Sequence, residues 1–218
     1  MSSSVSAAPR RTNASLALAA AAARTERPPV HPAPPARWCR EVFELIEWRR
    51  FEAVVEALFA QAGFETRAQP HGADGGVDIW LYSHHHEAGA DPVSIVQCKQ
   101  WTSRKVDVKL VRELRGVMAQ HRIARGQFVA TSGFTDDARL FAQENGIALH
   151  DTDGLLRLIA LRHPKQQEAL LEVALEGDYW RPTCVRCGNK MVERVKRVDG
   201  QKFWGCGGFP RCRGTMAA

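Results

Sequence analysis

The chain has 218 residues, enough for one domain of ordinary size with a small module beside it. No stretch approaches the ~20 consecutive apolar residues of a membrane-spanning helix, and no Gly-x4-Gly-Lys-Ser/Thr phosphate loop is present, so neither a membrane protein nor an ATP-driven motor is expected. Thirty Lys and Arg against 24 Asp and Glu leave a formal charge of +6, and the position of that excess is the first clue to a partner.

Residues 1–37 are rich in Ala, Ser, Pro and Arg, and Val5, Leu16, Leu18 and Val30 are too few to bury a core, so a disordered N-terminal segment is expected. Ala14–Ala23 behind Arg10 and Arg11 imitates an export signal, but the run is dominated by alanine. From Trp38 the pattern becomes that of a mixed α/β domain. Glu41–Ala62 reads as one helix, with Phe43, Ile46, Phe51, Val54, Val55 and Leu58 at three- and four-residue steps and Gly63 as its stop. A weak strand at Phe64–Ala68, a turn at Gly72-Ala-Asp-Gly-Gly76, a strand at Val77–Tyr82, a polar loop and a strand at Val93–Lys99 follow. Next come a helix over about Val106–Arg122, a strand at Gln127–Thr131 and a helix at Asp136–Asn145 capped by Thr135. A strand at Ile147–His150, a helix at Gly154–Arg162 and a last helix opened by Pro164 complete the series, which indicates a small sheet with helices on its faces. We place the domain at 38–163, a helical linker at 164–182 and a separate module at 183–218.

The chemistry gathers where the first strands end. Asp78 follows a Gly-rich turn, and Gln97 and Lys99 are two apart on the next strand, so both side chains share one face. If the strands pair, a carboxylate, an amide oxygen and an ammonium converge. That set suits phosphodiester hydrolysis: oxygen ligands hold Mg²⁺, the ion polarises the phosphoryl group and acidifies a water, and the lysine steadies developing negative charge.

Gly72-Ala-Asp-Gly-Gly-Val-Asp78, Ile95-Val-Gln-Cys-Lys99, Val111-Arg-Glu-Leu-Arg-Gly116 and Thr131-Ser-Gly-Phe-Thr-Asp-Asp-Ala138 together resemble the catalytic domain of the Mrr-type restriction endonucleases, from about Trp48 to Leu158. The resemblance implies a restriction-endonuclease-like fold, Mg²⁺-dependent DNA cleavage, Asp78 as principal metal ligand, Lys99 as catalytic lysine and Glu52 as the acid that the family places near the site. Gln97 stands where the wider superfamily more often has Glu, although Mrr-type members often carry Gln. A neutral amide is the weaker ligand for a hard cation, and Glu52 or Asp74 could supply the missing charge; Asp74 reads equally as a turn residue. His84, His85 and His86 read as a solvated hairpin tip, Cys39 and Cys98 as buried small hydrophobes, and Thr131-Ser132-Gly133 as a turn that could also touch a phosphate.

The C-terminal module holds Cys184-Val-Arg-Cys187-Gly188 and, 18 residues on, Cys206 and Cys212 separated by five. A Gly-turned C-x2-C knuckle and a second pair at this distance offer four thiolates to one Zn²⁺; two disulfides are the competing reading. The segment has little apolar bulk, so a metal or cross-link is needed for it to fold. Between Thr183 and Gly214 eight basic side chains face two acidic ones, an excess equal to that of the whole chain. Arg194, Lys196, Arg197, Lys202 and Arg211, interleaved with Phe203, Trp204 and Phe209, suit a nucleic-acid strand, with cations for phosphates and rings for unstacked bases. These 32 or so residues resemble the four-cysteine zinc ribbons at the C-termini of bacterial type I topoisomerases, which bind DNA. The expected protein is therefore a cytoplasmic Mg²⁺-dependent endodeoxyribonuclease in restriction, defence or DNA processing, self-association being compatible with the sequence. Its ribbon adds affinity and no chemistry. The alternative is a DNA-binding protein whose nuclease fold is weak or inactive.

Overall fold

The computed structural model describes residues 33–69, 76–84, 91–101 and 103–217. The N-terminal segment up to residue 32, Asp74 with most of its Gly-rich turn, and His85 and His86 lie outside the described residues. Residues 34–218 cluster as one unit.

Five strands form a sheet in chain order: β1 (Phe64–Ala68), β2 (Ile79–Ser83), β3 (Ser94–Lys99), β4 (Arg125–Ala130) and β5 (Ile147–His150). The first three run antiparallel and the last three parallel. Helices α1 (Arg40–Leu45), α2 (Trp48–Gln61), α5 (Thr152–Ala160) and α6 (Pro164–Ala174) cover one face, and α3 (Val108–Gln120) and α4 (Asp136–Glu144) the other. The strand period sorts the core: Val96 and Cys98 of β3 pack with Phe51, Val55 and Leu58 of α2, whereas Ile95 packs with Val111, Leu114 and Met118 of α3. Each fully buried Leu, Ile or Phe contributes roughly 1.5–3 kcal/mol. This is the mixed α/β architecture, a sheet with helices on both faces, expected from the sequence. Local chemistry sets the helix starts, since Asp107 accepts from the Lys109 and Leu110 amides and Thr135 from the Ala138 amide.

Two expectations need correction. The helix read as continuous from Glu41 to Ala62 is two helices, broken where Ile46 and Glu47 adopt extended backbone. Glu47 caps α2 with its own carboxylate and donates its amide to the Tyr179 carbonyl (2.6 Å), while the Gln100 side-chain amide donates to the carbonyls of Phe43 (3.2 Å) and Ile46 (2.6 Å), which close off the end of α1. Distant partners thus outbid the local helix pattern. The second correction concerns α6, expected as a linker. It is built into the core through fully buried Leu170 and Ala174.

The C-terminal segment forms a separate antiparallel sheet of β6 (Met191–Val195), β7 (Lys202–Cys206) and β8 (Thr215–Ala217). Its small core is Cys184, Met191 and Cys206, with Trp204, Cys212 and Met216 against them. No helix among the described residues is long and apolar enough to cross a membrane.

Candidate active site and cysteine cluster

Asp78 lies just before β2, which starts at Ile79, two residues later than the expected start at Val77, and its amide bonds to the Val96 carbonyl (2.9 Å), extending the β2–β3 pairing to this point. Its Oδ2 accepts the Cys98 amide at 2.6 Å. Gln97 is buried, and its Oε1 has no hydrogen-bond partner among the described residues. Gly76 makes room for that amide: it has φ +86°, and a Cβ there would lie 2.7 Å from Gln97 Nε2. Lys99 ends β3, half-buried. Glu52 projects from the second turn of α2, where Arg49 one turn earlier donates to it at 3.3 Å.

The electrostatics tie these groups together. Burial pushes the Glu52 carboxyl up to about 8, and the neighbouring Asp78 carboxylate adds to the rise, against the opposing charges of Arg49 and Lys99. Burial likewise raises Asp78, partly offset by the Cys98 amide, Lys99 and Arg49. Two desolvated carboxyls that repel each other could hold a hard divalent cation, and the orphaned amide oxygen of Gln97 on the adjoining strand is a further oxygen donor of the right kind. The structure thus brings Asp78, Glu52 and Lys99 within electrostatic reach at one end of the sheet, with Gln97 on the strand that Lys99 ends. Sequence reasoning missed Arg49 and the Cys98 amide; the first is one helical turn from Glu52, but the second is a backbone group with no sequence signal.

The sequence model of the restriction endonuclease family, for the Mrr catalytic domain, matches residues 43–159, more than half of the chain. The chain belongs to the Mrr-type restriction endonuclease family. Among curated relatives, the type IV methyl-directed restriction enzyme EcoKMrr of Escherichia coli K12 is 30% identical over 138 residues, 60% of this chain and 44% of the relative. The uncharacterised protein y4cE of Sinorhizobium fredii NGR234 is 32% identical over 111 residues, 50% of this chain and 27% of the relative. The chain therefore spans less than half the length of either. Among solved structures, the DNA modification-dependent restriction endonuclease AspBHI aligns at 19% identity and a TM-score of 0.47, covering 66% of this chain and 45% of that one. MspJI in complex with a 27-mer oligonucleotide aligns at 17% identity and a TM-score of 0.45, covering 72% and 40%. Scores this low add nothing to the family assignment.

In this Mrr-type chain the family match includes Glu52, Asp78, Gln97 and Lys99 and stops short of the cysteine module. Beyond Lys99, a cleft of about 430 Å³ is lined by Arg40, Phe43, Trp101, Thr131, Ser132 and Thr152, among others. The Thr131 hydroxyl accepts from the Trp101 amide and donates to its carbonyl, both at 2.9 Å, which explains its place at the strand end by structure alone. Cys98 is buried in the core as expected, whereas Cys39 is only half-buried, at the start of α1. His84 is exposed, in keeping with a hairpin tip.

In the module, the sulfurs of Cys184, Cys187, Cys206 and Cys212 all lie within 4.8 Å of one another, with Cys184–Cys212 at 3.7 Å and Cys187–Cys206 at 3.3 Å. Four sulfurs ~2.3 Å from one tetrahedral ion stand about 3.8 Å apart, so the cluster fits Zn²⁺, and all six cysteines are free thiols. Gly188, at φ +74°, turns the knuckle and returns its amide to the Cys184 carbonyl at 2.8 Å. Although burial opposes ionisation, the Arg186 and Cys187 amides and the facing thiols of Cys206 and Cys212 hold the Cys184 thiol down to about 7.

The β7 alternation separates two of the three aromatics expected to meet nucleic acid. Trp204 turns to the inner face, half-buried against Trp180 with ring centroids 6.3 Å apart, and so is a packing residue. Phe203 lies on the opposite face, directly across from Arg194. The Arg194 guanidinium sits over the ring of Phe209 at 5.4 Å, and Phe209 is 57% exposed. A groove of about 450 Å³ on this side is lined by Arg194, Phe203, Phe209 and Arg213. Lys202 points the other way and pairs with Glu193 at 2.8 Å, while Lys196, Arg197 and Arg211 are exposed. Phe209, expected among the aromatics of this surface, and Arg213, one of the eight basic residues, stand on this side; which side they take was not legible from spacing because they lie outside the strands.

Proposed function

We propose that the protein is a Mg²⁺-dependent endodeoxyribonuclease of restriction or DNA processing, in which the C-terminal module is a topoisomerase-like zinc ribbon that holds DNA. The observation that carries the reading is the grouping of Asp78, Glu52 and Lys99 at the end of β3, the strand that also holds the buried, unpartnered Gln97 oxygen. Asp78, Gln97 and Glu52 would hold the divalent ion, which when bound supplies phosphoryl polarisation and an acidified water. Asp78 is fixed by the Cys98 amide, so its carboxylate needs little reorganisation to serve as a ligand. Lys99 places a positive charge beside the same carboxylates, where it steadies charge that builds on the phosphoryl oxygens. Arg49 keeps Glu52 oriented towards the group.

Because one relative is methyl-directed, the decisive assay incubates purified protein with methylated and unmethylated plasmid in Mg²⁺ or EDTA. Cleavage of either substrate in Mg²⁺ and none in EDTA is expected. DNA binding without cleavage of any substrate would favour a binding-only protein.

Two further outcomes are expected. Gln97→Glu adds a full negative charge to the ligand set, so the Mg²⁺ midpoint of cleavage should move several-fold lower; an unchanged midpoint would remove Gln97 from the ligands. On the module, Arg194→Ala with Arg213→Ala should weaken DNA binding and reduce the slope of log K against log salt by about 1.4–1.8, at roughly 0.7–0.9 for each phosphate that no longer meets a cation. Phe209→Ala should weaken binding with the slope unchanged, because stacking releases no counterions. Anisotropy in a salt series reads both; unchanged slopes would leave the module without a DNA role.

A further inference from the structure

The module meets the nuclease fold at the helix that carries Glu52. Glu47, the N-cap of α2, has a side chain 2% exposed with contacts on both oxygens. Its Oε2 accepts the amides of Arg49 (3.1 Å) and of Thr183 in the module (3.2 Å). Its Oε1 accepts the Thr183 hydroxyl (2.9 Å) and Lys190 Nζ (3.1 Å). Next to it, Trp48 Nε1 donates to the Thr183 carbonyl at 2.9 Å. Thr183 immediately precedes the cluster cysteine Cys184, so the residue that clasps α2 is anchored by the cysteine knuckle.

From this clasp a short run of contacts leads to the candidate active site. The Glu47 carboxylate fixes the Arg49 amide, and the Arg49 guanidinium lies 5.5 Å from the Trp48 ring and donates to Glu52. Glu52 is four residues after Trp48, so the two side chains project from one face of the helix. Glu52 in turn interacts with Asp78 and Lys99.

We infer that Glu47 is a positioning residue: by clasping Thr183 and Lys190 it sets the first turn of α2, and through Arg49 and Glu52 it sets the metal-binding geometry. The module then acts on the chemical step as well as on DNA affinity, contrary to the expectation from sequence that it contributes affinity alone. This rests on the proposed metal site containing Asp78 and Glu52. A displaced carboxylate costs rate steeply, since errors on the order of 1 Å in placement can cost about 100-fold.

The test uses the full chain with Glu47→Ala, Glu47→Gln and Thr183→Val, and with Asp78→Ala as the reference for the metal site. Mn²⁺ binding by electron paramagnetic resonance reads the metal site without turnover, and amide exchange over residues 48–52 reads the helix turn. For Glu47→Ala, kcat should fall about tenfold or more with KM for DNA within about twofold, as expected of a defect in placement. Its Mg²⁺ midpoint and Asp78-dependent Mn²⁺ dissociation constant should rise several-fold, and the 48–52 amides should exchange faster. Glu47→Gln keeps one acceptor oxygen for the two amides and should recover part of the loss; Thr183→Val, which retains the backbone contact, should fall between wild type and Glu47→Ala. If Glu47→Ala does not fold, those two milder variants carry the same ordering of kcat and Mn²⁺ affinity. Wild-type kcat and Mn²⁺ affinity in all folded Glu47 and Thr183 variants, with Asp78→Ala defective, would overturn the positioning role alone. Mn²⁺ binding that survives Asp78→Ala would overturn the metal site, and the positioning role with it.

Discussion

Asp78→Ala and Lys99→Ala should each lower Mg²⁺-dependent DNA cleavage by about 10²- to 10³-fold, the scale on which single preorganised electrostatic groups contribute to such reactions. The two losses arise differently. Asp78→Ala removes a charged ligand, so its Mn²⁺ affinity should fall. Lys99→Ala removes a positive charge next to the carboxylates, so it should cleave poorly while still binding the ion. Neither change is expected to unfold the chain. Asp78 lies outside the strands, and burial raises its carboxyl, so its ionisation works against folding in the metal-free protein. DNA affinity should change little if the module provides much of it. Single-turnover rates, Mn²⁺ titrations and thermal melts on both variants check each part; wild-type rates in either would remove that residue from the reaction.

Glu52→Gln should make the metal-free protein more stable and less active. In the folded chain the Glu52 carboxyl is raised to about 8 by burial and by Asp78, whereas in the unfolded chain it titrates near 4.3. Between those values the folded state holds a proton that the unfolded state has released. The stabilisation linked to that proton is fully present below about pH 4 and is lost as pH rises through about 8. The full change is on the order of 3–5 kcal/mol for a group with this shift. Glu52→Gln carries no titrating carboxyl, so its melting temperature should match wild type near pH 4 and exceed it by several degrees at pH 9. Mg²⁺ at pH 8 should narrow the gap by stabilising the wild type more, because a ligand that binds only the folded state raises its stability. Thermal melts at four pH values, with and without Mg²⁺, read all of this. A melting difference that does not grow with pH would mean that Glu52 is not held in the desolvated pair.

Much of the fold was legible because its signals are local. The α3 stripe of Val111, Leu114 and Met118, the Thr135 cap and Gly63 each act within a few residues of where they stand. The break before α2 was not legible, because the Glu47 amide is claimed by Tyr179 and its carboxylate by Thr183 and Lys190, all more than 130 residues away. For the same reason α6 passed for a linker: the sequence shows its apolar stripe, but not the α2 surface that buries Leu170. At the candidate site, the spacing of Gln97 and Lys99 placed both on one face of β3, whereas the coupling of Glu52 to Asp78 depends on how α2 packs across the sheet. In the module the cysteine spacing announced the cluster. The side occupied by Trp204 required knowing that Trp180 lies beneath it.

The most direct test of the central claim, that the end of β3 holds a divalent cation, is an anomalous difference map from crystals grown with Mn²⁺. A peak about 2.0–2.3 Å from an Asp78 carboxylate oxygen, with Gln97 Oε1 or Glu52 also coordinating, is the expected result. A fully occupied Mn²⁺ elsewhere, with Asp78 and Glu52 left uncoordinated, would contradict it.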